Sequence, residues 1–313
     1  MFRHIVRRLL LAIPTLLAVF TVIFLIVRVA PGDPATAALG DYASKDAVDA
    51  LRAQMGLNEP LWRQYLTFLG DLARGDLGRS LITRKPVWGQ ISFVLPYTLE
   101  LTIGAILIGL VLGIPVGVLT AVRRNRPTDY IGRVLSLVGL SLPAFYLGIL
   151  LTFFFAVRLD LFPAIGSATF SHPLSNLHHL VLPALTLGLI ETAYIARMTR
   201  SVMIGVLSDD YVRTARAKGL QERVVLIQHT LRAALIPIVS LVGIFAISLI
   251  GSSVLVEEVF ARPGLGKLMV GATKQKDYTT LQSIMVIYAL IIVVINLITD
   301  LIYTAVDPRV RYS

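Results

Sequence analysis

Residues Ser208 to Pro237 read SDDYVRTARAKGLQERVVLIQHTLRAALIP and lie between two long apolar stretches. The first half predicts a short basic helix with small residues at Thr214, Ala215 and Ala217, and Gly219 breaks it. A second amphipathic run follows and leads back into apolar sequence. A polar helix-break-helix segment held between apolar walls is suited to docking onto something at an aqueous face.

Working outward from that loop, composition decides the solvent of the rest. Hydrophobic residues make up 56% of the 313 residues and charged ones 15%, where a soluble domain carries about 25% charge. The mean hydropathy is +0.76. This is the composition of an integral membrane protein. A net charge of +10 would suggest nucleic acid in a soluble chain, but here the basic residues sit beside apolar spans, so no nucleic-acid partner is expected. Cysteine is absent, which excludes disulfides, a thiolate nucleophile and Cys-ligated metal.

Apolar stretches long enough to cross a bilayer recur at Leu9 to Val29, Tyr97 to Val122, Arg133 to Val157, Leu180 to Met198, Leu235 to Val256 and Leu281 to Val306. The chain is therefore expected to be all-α, with about six transmembrane helices. The first stretch is too long for a signal-peptide core and lacks an A-x-A site after it, so it reads as a retained span. Basic residues concentrate on one side of these spans: Arg3, Arg7 and Arg8; Arg123, Arg124, Arg126 and Arg133; the run from Arg197 to Arg232; and Arg309 and Arg311. The positive-inside rule places both termini and the Ser208 loop in the cytoplasm of a multi-pass protein.

Four segments follow: residues 1–30, the N-terminus and first span; 31–96, a helical insertion on the outer face; 97–306, the core membrane domain with its loop at 208–237; and 307–313, a cytoplasmic tail. In the insertion, Ser44 is placed to cap a helix ending at Gly56, and Asn58 to cap a second. In that second helix Trp62, Tyr65, Leu66, Leu69 and Leu72 form one apolar face, expected to pack on the membrane domain or the headgroup layer.

No nucleotide-binding loop is present. The nearest string, Pro263-Gly264-Leu265-Gly266-Lys267, lacks the first glycine, the hydroxyl and the spacing. There is no HExxH, no GxSxG and no carboxylate pair for acid and base work, so neither catalytic residues nor a cofactor bound by this chain are expected. His172, His178 and His179 cluster in one outer loop, but three histidines without a carboxylate are weak grounds for a metal site.

Within the spans, Gly109, Gly113 and Gly117 recur every fourth residue and leave a strip on which another helix can pack closely. Pro14, Pro115, Pro143 and Pro183 are expected to kink or break their helices. Glu191 is the exceptional ionisable residue midway through the fourth span. It either lines a pathway or makes a structural contact to another helix. Glu191, Pro143, Ser252 and Ser253 are the candidate translocation-pathway residues.

Several motifs together resemble one family across essentially the whole chain: RRLLLAIPTLLAVFTVIFLIVRVAPGDPA, GDLGRSLITRKPV, SLPAFYLG, LPALTLG, EVFARPGLGKL and the closing DPRVRY. They resemble the B-type permease subunit of dipeptide, oligopeptide, glutathione or nickel ABC importers. The general coupling motif of that superfamily reads Glu-Ala-Ala, three residues, Gly, nine residues, Ile-x-Leu-Pro. Aligned on Gly219, this chain keeps Ala215 and Leu231 and has Arg213 and Arg232 at the Glu and Pro positions, as the peptide branch does.

The resemblance implies a type I ABC importer transmembrane domain in the bacterial inner membrane. It also implies a second homologous C-type permease, two ATPase subunits that carry ATP and magnesium, and an extracytoplasmic solute-binding protein. The coupling residues it implies are Asp210, Tyr211, Arg213, Thr214, Ala215, Arg216, Ala217, Lys218, Gly219 and Leu220, with Gly219 at a positive backbone angle and Ala215 flat against the ATPase. Peptides are the expected cargo, with nickel, glutathione or an opine-like solute as alternatives. An ion-coupled carrier or channel is the more distant reading and would need polar rings within the spans.

Overall fold

The computed structural model describes residues 2–29, 33–40 and 43–306. Pro31, Gly32 and the expected tail at 307–313 lie outside the described residues. The chain is built from helices, and one isolated antiparallel bridge joins Arg79 and Pro86. In order they are α1 (Phe2–Val29), α2 (Pro34–Leu39), α3 (Lys45–Gln54), α4 (Leu61–Ala73), α5 (Val87–Val122), α6 (Pro127–Ser141), α7 (Ala144–Leu151), α8 (Pro173–Leu207), α9 (Asp210–Ala217), α10 (Glu222–Val224), α11 (Arg232–Val259), α12 (Leu265–Lys274) and α13 (Tyr278–Val306). Two π-helical turns, Thr152–Arg158 and Val225–Leu231, extend α7 and α10.

Among the described residues five helical stretches are long and apolar enough to cross a membrane, and a bent pair, α6 with α7, makes a sixth if counted as one span. The expected third span is thus not a straight rod but turns by 105°. Pro143 is the cause. It caps α7, and the residue before it, Leu142, is extended at φ −87° and ψ 127°, as the residue before a proline prefers. Pro14, Pro115 and Pro183, by contrast, lie inside helices that continue past them.

The chain divides into two compact units. The first comprises residues 1–96 and 264–294. Within this unit Val87, Ile91 and Val94 of the 31–96 segment form a buried cluster with Leu265, Ile284 and Ile287. Asp277 anchors the GDLGRSL motif, accepting hydrogen bonds from the Ser80 hydroxyl, the Leu81 amide and Thr280. Gly78 is required there, because its φ is +75° and a Cβ would come within 2.9 Å of Thr279.

Ser44 caps α3 as expected, its hydroxyl accepting from the Ala47 amide. The cap of α4 is Pro60 and not Asn58. Of the expected stripe Tyr65, Leu69 and Leu72 are half-buried. Tyr65 shares a hydrogen bond with Thr21 and, with Phe68, packs on Phe24, while Gln64 accepts from Arg28. Trp62 is 65% exposed and Leu66 is exposed too.

The second unit, residues 97–263 and, of the described residues, 295–306, centres on α8, which packs against α6, α7 and α11. Against α8 lies the glycine strip of α5: Gly104 meets Ala184, Gly109 meets Glu191, Gly113 meets Ile195 and Gly117 meets Thr199. A Cβ at any of the last three would approach α8 to 2.9 Å or less, so close helix packing is what these glycines provide. The partners rise together along both helices, so α5 and α8 run parallel.

Candidate functional site

The Ser208–Pro237 segment folds as α9, a tight turn, then α10 and its π-helical continuation. Val212 and Ala215 are one turn apart on the same face of α9 and bury against Val225 and Val206. This small apolar cluster fixes α9 to its own loop. The turn is closed by the Gly219 amide donating to the Arg216 carbonyl at 2.9 Å and the Leu220 amide reaching Ala215 at 3.4 Å. Gly219 has φ +76°, the left-handed residue after a helix that glycine adopts without strain.

Two exposed ion pairs brace the loop. Arg216 reaches both oxygens of Glu222, at 2.7 and 3.1 Å, and Arg213 donates to Asp210 at 2.6 Å. Thr214 donates to the Asp210 carbonyl. Tyr211 stands exposed with its hydroxyl 3.5 Å from the His229 carbonyl, and burial of the phenol raises its pKa, helped by the nearby Asp209.

The outward face of α9 therefore presents Tyr211, Arg213, Thr214, Ala217 and Lys218, with Gly219 and Leu220 at its end, all exposed. Ala215 is different. At 6% exposed its side chain belongs to the inner cluster, which corrects the expectation that it lies flat against a partner.

The four candidate pathway residues do not form one site. Glu191 is 6% exposed, its Cβ lies on the Gly109 side of the α5 and α8 contact, and its Oε2 has no hydrogen-bond partner. Pro143 is exposed at the bend between α6 and α7. Ser252 is half-buried and bonds the Leu249 carbonyl, while Ser253 is buried and reaches both the Ile250 carbonyl and Glu257. Glu257 in turn accepts from Thr98 on α5 at 2.7 Å. Thr98 and Gly109 are separated by roughly 16 Å along that helix, so Ser253 and Glu191 sit at different depths.

Sequence reasoning missed the charged cluster to which Ser253 belongs. Arg262 has no exposed surface, donates to Glu100 at 2.6 Å and lies over the Tyr97 ring at 5.4 Å. Asn176 donates to the other Glu100 oxygen at 2.7 Å. Burial lowers the Arg262 pKa, opposed by Glu100. The available signal was charge at the ends of apolar spans: Glu100, Glu257 and Arg262 are costly to bury unless paired.

The histidines serve the fold. His178 is hydrogen-bonded to the Leu161 carbonyl and packs on Phe162, His179 is bonded to the Ser175 carbonyl, and His172 starts α8. Among the described residues no three His, Cys, Asp or Glu side chains converge as a metal site.

The fold is one of several helices long and apolar enough to cross a membrane, interrupted by a short amphipathic helix–turn segment. The family model for binding-protein-dependent transport system inner membrane components matches residues 113–312, and the model for the N-terminal part of the same components matches residues 1–102. The chain belongs to this family of ABC importer permease subunits.

It is 40% identical to a dipeptide transport system permease protein of Alkalihalophilus pseudofirmus. It is 40% and 39% identical to glutathione transport system permease proteins of Pectobacterium atrosepticum and Escherichia coli. In each case the match covers 100% of both chains. Among solved structures, the inward-facing MetNI methionine ABC transporter matches with a TM-score of 0.57 and 23% identity, over 70% of this chain and 97% of that one. That likeness concerns the fold, the transmembrane domain of a type I ABC importer.

Proposed function

We propose that this permease subunit moves peptides or peptide-like solutes such as glutathione across the cytoplasmic membrane, driven by ATP hydrolysis on partner subunits. The single observation that carries the coupling mechanism is the construction of α9: an inner face locked by Val212, Ala215 and Val225, and an outer face left wholly exposed. A helix tied to its own loop transmits a push to the spans it joins, and a free outer face of small and basic residues fits a groove on an ATPase. The full-length relatives named for dipeptide and glutathione transport support the cargo class.

In this reading a second homologous permease completes the pathway, two ATPases hold ATP and magnesium, and a solute-binding protein delivers cargo from outside. Closure of the ATPase pair moves α9 and exposes the pathway to alternate faces. Both termini and the Ser208 loop face the cytoplasm, as the basic residues around them favour.

The test is transport by the assembled complex in proteoliposomes supplied with its binding protein. Labelled dipeptide or glutathione should accumulate only with ATP and magnesium on the ATPase side. Accumulation driven by an ion gradient without the ATPases would establish the carrier reading instead.

A further inference from the structure

A cavity of about 230 Å³ opens between α5, α6 and α8 at the end of the second unit that carries the Ser208 loop. Its walls are apolar at Leu137, Leu140 and Ala196, and three guanidinium groups, Arg133, Arg197 and Arg200, stand around it. One acid faces them. Asp129 is fully buried and accepts from Arg200 at 2.7 and 2.9 Å, with Arg133 Nε 3.5 Å away. Arg133 also lies over the Tyr130 ring at 4.4 Å, and Arg197 is exposed. Three cations against one carboxylate leave the cavity with a surplus of two positive charges. Thr120 and Ser136 complete the lining with hydroxyls bonded to backbone carbonyls.

Depth narrows the ligand. Thr120 is two residues from the end of α5 and Arg133 six residues into α6, or about 3 and 9 Å along their axes. In a helix that crosses a bilayer, side chains one to two turns in from the end reach the layer where headgroups meet acyl chains. Beside the cavity, α6 turns Val134, Leu135, Leu137 and Val138 outward, each more than half exposed. A soluble anion would use the arginines but not this face. We infer that the cleft between α6 and α8 binds one anionic phospholipid, its phosphate between Arg133 and Arg197 and an acyl chain along Val134 and Val138. Arg200 positions the site through Asp129. The inference is independent of which cargo the importer carries.

The experiment is native mass spectrometry of the assembled complex, delipidated and then offered equimolar phosphatidylglycerol and phosphatidylcholine. One phosphatidylglycerol per copy of this chain should be retained in preference to phosphatidylcholine. Arg133→Gln with Arg197→Gln should lower that preference about 30-fold, roughly 5-fold for each cation removed beside an anionic headgroup. Arg133→Lys with Arg197→Lys should restore most of it, which separates charge from folding. Equal retention of both lipids, or a preference unchanged in the double Gln variant, would overturn the inference. So would full displacement of the lipid by millimolar inorganic phosphate, which would mark a soluble-anion site. Retention by the separated chain but not by the complex would give the cleft to the second permease and overturn it too.

Discussion

Two of the ion-pair groups in the second unit have opposite characters. Around Arg262 the charges are sealed: a cation without exposed surface held by Glu100, with Glu257 held by Thr98 and Ser253. Around α9 the pairs Arg216 with Glu222 and Arg213 with Asp210 are open to water and rest on a cluster of small apolar side chains. Sealed charges fix geometry, because neither partner tolerates loss of the other. Open charges add little stability and leave a surface free for a partner. The contrast is between the Arg262 cluster and α9 itself; where α6 meets α8, the pair Asp129 with Arg200 is buried like the first.

The distances fit that division. Along α5, Glu100 and Thr120 are about 30 Å apart, and along α8, Asn176 and Arg200 about 36 Å. A bilayer's hydrocarbon core is about 30 Å thick. The charged and polar layers therefore bound a membrane-thick apolar zone, and Glu191 lies inside it.

The sealed cluster should give the largest effect. Glu100→Gln removes the carboxylate that Arg262 hydrogen-bonds and leaves Glu257 as a carboxylate facing that buried cation, so it should cost up to about 3 kcal/mol, read as a lowered unfolding temperature of the detergent-purified complex. A melting curve matching the parent would place Arg262 in contact with water and erase the contrast. Next is Gly219→Val at the open end. Holding a β-branched residue at φ +76° costs about 1–2 kcal/mol and should tilt α9. Transport should fall roughly tenfold, the change that about 1.4 kcal/mol produces, while the complex still assembles. Wild-type transport in an assembled complex would show that the turn's shape does not matter for coupling.

Between the two ends, Glu191→Leu should alter stability by about 1 kcal/mol or less, since the carboxyl it removes has an oxygen already without a partner. Transport per assembled complex should be unchanged. Loss of transport with assembly intact would place Glu191 on the pathway. Smallest of all, Arg216→Gln removes an exposed pair and should shift stability by about 0–1 kcal/mol. A larger loss would mean the open end is not open in the complex.

The loop was legible because its signals are local. A helix of eight residues, Asp210 to Ala217, and a left-handed glycine two residues later follow from spacing and one residue type. The same pattern held the correction: Val212 and Ala215 share a face, and Val225 supplies their cover, but Ala215 was read through its place in a motif and not through its neighbours. The bend in the third span was half legible. Pro143 announced a break, yet apolar length says nothing of direction, so the 105° turn was not foreseen. The pairs Glu100 with Arg262 and Asp129 with Arg200 were illegible because their members are 162 and 71 residues apart. Such pairings depend on the packing of helices and not on any local pattern.

Cysteine cross-linking to the ATPase subunits reads most directly whether α9 has a fixed inner face and a partner-facing outer one. The chain has no native cysteine, so Ala217→Cys and Ala215→Cys can each be paired with single cysteines along the ATPase groove. Cross-linking should be rapid at position 217 and modulated by ATP, and absent at position 215. Equal reaction at both positions, or reaction at 215 alone, would contradict that division of faces.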